Sequence, residues 1–98
     1  MHSLHNFTVS IQPTLPDLKA FVTVAELQSF AAAAKALHLS QPALSRRIAH
    51  LESVLEVRLF DRTTRQVQLT GPGQVFAEQA RRLRNMTEEA VRAVREVA

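Results

Sequence analysis

The chain has 98 residues, 46% of them hydrophobic, which suits one small folded domain and excludes a disordered tail. There is no cysteine, which excludes a disulfide frame, a thiol nucleophile and a zinc–thiolate site. The net charge is a mild +3, but every basic residue except Lys19 and Lys35 is Arg, whose planar fork matches phosphates and guanine edges.

Residues 1–13 read as a flexible extension, in which Phe7, Val9 and Ile11 alternate like a short strand without a partner. His2 and His5 lie in this tail and are not expected to hold a metal; no cofactor is expected anywhere in the chain. The opening residues carry no Lys or Arg ahead of an apolar stretch, so they do not read as a signal peptide. No apolar run approaches the ~20 residues that span a bilayer. A cytoplasmic protein without membrane contact is the expectation.

A first helix is predicted from about Pro16 to Leu27, with Leu18, Phe21, Val22 and Ala25 on one stripe. Ser29 is a good N-cap for a second, in which Phe30, Ala33, Ala34 and Leu37 repeat that spacing. The run Ala31–Ala34 favours helix and lets a neighbour approach closely. This helix is predicted to stop near His38. Ser40 caps a third, with Pro42 in its first turn and Leu44, Ile48, Leu51 and Leu55 on its apolar face. Gln41, Ser45, Arg46 and His50 are assigned to the other face.

Val57 and Leu59, then Val67 and Leu69, alternate with polar residues around Asp61-Arg-Thr-Thr-Arg65, which predicts a hairpin with a loop longer than two residues. Thr70 caps a last helix that runs to the chain end, about 40 Å long at 1.5 Å per residue. Its stripe is Phe76, Ala80, Leu83, Met86, Ala90, Val94 and Val97, and Arg81, Arg84, Glu88, Arg92 and Arg95 are assigned to the opposite face. A copy of the same helix is the expected partner, which makes this stripe the dimerisation seam; folding back on its own domain is the alternative. The only aromatics are five Phe, so the core is expected to come from Leu, Val, Ile and Ala.

Two short helices joined by a tight turn, the second opening on polar residues, form the helix-turn-helix pattern. In that pattern the second helix puts its N-terminal side chains into the DNA major groove, where each base pair shows its own donors and acceptors. Arg62 and Arg65, at the ends of the hairpin loop, are placed to reach phosphates or the adjacent minor groove. The expected fold is mainly α: a winged helix-turn-helix of three helices and a short hairpin wing over residues 14–70, then a linker or dimerisation helix over 71–98.

Ser29-Phe-Ala-Ala-Ala-Ala-Lys-Ala-Leu-His-Leu-Ser-Gln-Pro-Ala-Leu-Ser-Arg-Arg-Ile48, Leu51-Glu52, Leu59-Phe-Asp-Arg62 and Leu69-Thr-Gly-Pro-Gly73 resemble the LysR-type transcriptional regulators. The resemblance covers about Leu15 to Ala98, and the Ser-Gln-Pro-Ala-Leu-Ser-Arg block is highly specific. It implies sequence-specific binding of double-stranded DNA by a bacterial transcription regulator, not an enzyme. The reading positions it implies are Gln41, Pro42, Ser45 and Arg46. The backbone contacts are Ser29, Ser40, Arg62, Thr64 and Arg65. It further implies a homodimer on an interrupted palindrome, with a tetramer open for the full-length protein. A small-molecule effector would act only through a larger domain absent from this chain. Two features depart from the family: Glu56 stands where a Gly usually follows the third helix, and the N-terminal extension is unusual.

Gly71-Pro72-Gly73 also resembles a phosphate cradle, but it lacks a preceding buried strand and a Lys-Ser/Thr signature. No nucleophile–base–acid motif appears. The serious competitor is a winged helix that binds protein through its third helix; the polar helix start and wing arginines favour DNA.

Overall fold

Thr14 opens the first helix by a reciprocal cap. Its hydroxyl accepts from the Asp17 amide at 3.2 Å, and the Asp17 carboxylate accepts from the Thr14 amide at 3.0 Å. In the computed structural model, which describes residues 13–61 and 66–98, this helix α1 spans Leu15–Leu27. α2 follows at Phe30–Ala36 and α3 at Gln41–Leu55. Strands β1 (Phe60–Asp61) and β2 (Gln68–Leu69) come next, then α4 at Gly71–Glu96. The proposed strand around Phe7, Val9 and Ile11 lies outside the described residues.

Ser29, Ser40 and Thr70 cap α2, α3 and α4 as the sequence predicts, each hydroxyl accepting an amide of the first turn. Among the described residues, three that are not glycine take left-handed backbone at helix exits and turns: Gln28 (φ 54), His38 (φ 58) and Glu56 (φ 59). Glu56 therefore adopts the left-handed cap conformation that Gly would take at lower cost.

The strands pair antiparallel, with Phe60 opposite Leu69 and Asp61 opposite Gln68. Each is two residues long, shorter than the alternation suggests. Val57–Leu59 does not join the ladder, because this stretch wraps over the end of α3. The Glu52 carboxylate there accepts from the Leu59 amide at 2.8 Å and the Phe60 amide at 3.3 Å.

The core joins α1, α2, α3, β1 and the root of α4. Phe21, Val24, Ala33, Leu44, Ile48, Leu51, Leu59 and Ala80 have no measurable exposure. The expectation of a purely aliphatic core needs correction. Phe21 lies 5.3 Å from Phe60 and 5.1 Å from Phe76, ring centre to ring centre, and Phe30 lies 5.7 Å from Phe60. These tilted and edge-on pairs each contribute roughly 0.5–1.5 kcal/mol beyond their buried area. They tie four elements together, which few rings suffice to do in so small a domain. Ala33 and Ala34 are the buried side of α2, and their small size brings it close to its neighbours.

Candidate nucleic-acid interface

The segment that presents α3 is built by local rules. α2 ends at Ala36, His38 turns the chain in left-handed backbone, and Ser40 starts α3. The α3 stripe of Leu44, Ile48 and Leu51 is wholly buried. That orientation turns Gln41, Pro42 and Arg46 outward, all exposed, with Ser45 half-buried beside them. Gln41 with Ser45, and Pro42 with Arg46, are i, i+4 pairs and so form two adjacent rows at the start of the helix. His50 is also exposed, one turn further along.

A long-range ion pair also ties α3 to α1. Arg47 reaches back 30 positions to Asp17, with Nη1 at 3.4 Å from Oδ1. Asp17 is buried and also caps α1, so one carboxylate serves both helices. At the other end of α3, buried Glu52 ties the helix to β1, with the Arg58 guanidinium 4.0 Å from its carboxylate. A carboxylate lodged next to the apolar positions Ile48, Leu51 and Leu55 was the available signal. The hydrogen bonds that it accepts from the Leu59 and Phe60 amides are ones that no side-chain pattern announces.

Of the expected backbone contacts, Ser40 is exposed and Ser29 half-buried, and both hydroxyls are engaged as caps. A capping hydroxyl that accepts an amide still has its own proton to donate. Arg62, Thr64 and Arg65 lie outside the described residues, between β1 and β2 in the sequence.

The expected seam on α4 divides in two. Ala80 is fully buried and Phe76 half-buried against Phe21, so both belong to the domain's own core and leave the seam. The root of α4 packs against α1 and β2, which uses up roughly its first three turns at 3.6 residues per turn. Leu83, Met86, Ala90 and Val94 are exposed, as are Val75, Val91 and Val97. Gly73 is buried against the Leu59 carbonyl, so close packing explains the glycine of the Gly-Pro-Gly run. No helix among the described residues is long and apolar enough to cross a membrane.

Comparison with known proteins places this arrangement. Residues 15–74 match the bacterial regulatory helix-turn-helix proteins of the lysR family. An uncharacterised HTH-type transcriptional regulator in the ibpB-leuC intergenic region of Azotobacter vinelandii is 49% identical over 80 residues, covering 82% of this chain and 56% of that protein. The HTH-type transcriptional regulator ClcR of Pseudomonas putida is 51% identical over 71 residues, covering 72% of this chain and 24% of that protein. The chain thus spans between a quarter and just over half the length of these relatives. The crystal structure of the BenM DNA-binding domain with catB site 1 DNA superposes with a TM-score of 0.83 at 37% identity, covering 86% of this chain and 94% of that one. With the cap-to-cap helix pair, the hairpin and the long last helix all accounted for, this chain belongs to the lysR family of bacterial regulatory helix-turn-helix proteins.

Proposed function

We propose that the chain is a sequence-specific binder of double-stranded DNA, acting as a homodimer in cytoplasmic transcription regulation and without catalytic activity of its own. The observation that carries this reading is the exposed polar start of α3, held outward by a wholly buried opposite face. Gln41 and Arg46 enter the major groove, with Pro42 and Ser45 beside them. Gln pairs with adenine and Arg with guanine through two bonds at once, each pair discriminating by about 1–3 kcal/mol. Ser29 and Ser40 meet the sugar-phosphate backbone. Arg62, Thr64 and Arg65 of the hairpin loop do the same or enter the minor groove. Residues 14–70 form the binding unit and 71–98 the linker. Leu83, Met86, Ala90 and Val94 form the dimer seam. A two-fold dimer requires half-sites related by a dyad, hence an interrupted palindrome. An effector response, and any tetramer, belong to the full-length protein.

The test is affinity for selected and random duplexes over a salt series. Gln41→Ala and Arg46→Ala narrow the gap between the two DNAs. Arg62→Ala weakens both equally and flattens the salt slope by about one unit. Loss of sequence preference in Arg62→Ala, with preference intact in the two α3 variants, would falsify the assignment of α3 as the reader.

A further inference from the structure

Glu26 sits in the last turn of α1, where the helix dipole disfavours an acidic side chain. Two arginines of α4 offset that cost. Arg84 Nη1 lies 3.2 and 3.3 Å from the two Glu26 oxygens, and Arg81 Nε lies 3.5 Å from one of them. Arg81 and Arg84 are the last half-buried residues of α4; everything after Arg84 is exposed. Before this point the root of α4 packs through the buried small residues Gly73, Ala77 and Ala80 and through Phe76, whose ring meets Phe21 of α1; Phe76 lies more than a turn before Arg81, so the ion pairs with Glu26 hold α4 nearer its exit than that ring does. The carboxylate therefore grips α4 where it leaves the domain, and it does so from one side.

We infer that Glu26 is a positioning residue that fixes the angle between the DNA-binding unit and α4, and through it the half-site spacing that the dimer accepts. The inference rests on the proposal that α4 carries the dimer seam. From Arg84 to Ala98 the free arm is about 21 Å at 1.5 Å per residue. A tilt of about 10° displaces its end by about 4 Å, close to one base-pair rise of 3.4 Å. With the seam held in the dimer, the same tilt moves the reading helix by a comparable distance. Base preference is set within the DNA-binding unit, which the tilt leaves unchanged, and stays as it was.

The experiment compares wild type with Glu26→Gln, Glu26→Arg and the reversed set Glu26→Arg/Arg81→Glu/Arg84→Glu. The probes are duplexes carrying one selected half-site, or two half-sites at stepped separations; dimer mass is followed by sedimentation. Exposed ion pairs add little stability, so melting, dimer mass and single-half-site affinity should stay within error for Glu26→Gln. Its preference for the best separation over the neighbouring ones should fall about threefold, the scale of one or two exposed ion pairs. Glu26→Arg should shift the best separation, and the reversed set should restore it. Wild-type spacing profiles in both single variants, with dimers intact, would overturn the inference and leave the dimer reading standing. A monomeric wild type would overturn both.

Discussion

Gly73 packs so close to Leu59 that a Cβ built on it would lie 2.1 Å from the Leu59 carbonyl oxygen. The same carbonyl accepts from the Thr70 amide at 3.0 Å, so the start of α4 is pinned backbone to backbone against the entry of β1. Gly73→Ala must push the two apart, and overpacking of this kind costs about 1–3 kcal/mol or more. Gly71, with nothing within 4 Å of its Cβ position, is the control. Urea unfolding should show a clear loss for Gly73→Ala and a change within about 0.5 kcal/mol for Gly71→Ala.

The left-handed exits make a prediction of the opposite sign. Glu56 holds φ 59 at the end of α3, a conformation in which its Cβ is crowded. Glu56→Gly should stabilise the domain by about 0.5–1 kcal/mol, the strain relieved less the extra freedom of the unfolded chain. His38→Gly, at φ 58, should act in the same direction. Thermal melting decides both, and a fall in melting temperature for each would count against strain at these sites.

Glu52 accepts from the Leu59 and Phe60 amides inside the protein, so Glu52→Ala takes the acceptor from both. Two stranded donors and the lost charge-assisted bonds should cost about 2–4 kcal/mol. Glu52→Gln keeps one acceptor oxygen and should cost less. Equal losses for the two variants in denaturant titration would mean that packing of the stem, not the carboxylate, holds the turn.

Along α4 the same substitution should have two different outcomes. Ala80→Asp buries a charge in the domain core and should unfold it. Leu83→Asp and Val94→Asp fall on exposed positions and should leave the domain folded while weakening the dimer. Circular dichroism with sedimentation at micromolar concentration separates the two effects. A dimer unaffected by either exposed substitution would move the seam elsewhere.

The sequence by itself determined the helices and their starts, the turn at His38, the hairpin, and the polar face of α3 opposite Leu44, Ile48 and Leu51. Capping and periodicity depend on residues within one or two turns, so they are written in short windows. The tertiary structure decided what the long-range partners do. Phe21, Phe30, Phe60 and Phe76 meet from four elements, Asp17 finds Arg47, and Glu26 takes both Arg81 and Arg84. The apolar stripe of α4 shows the difference most directly. Its spacing is continuous from Phe76 to Val94, yet Phe76 and Ala80 are used inside the domain while Leu83, Met86, Ala90 and Val94 remain open. Periodicity specifies that a face is apolar; which surface covers it depends on where α1 ends, and that is a property of the packed chain.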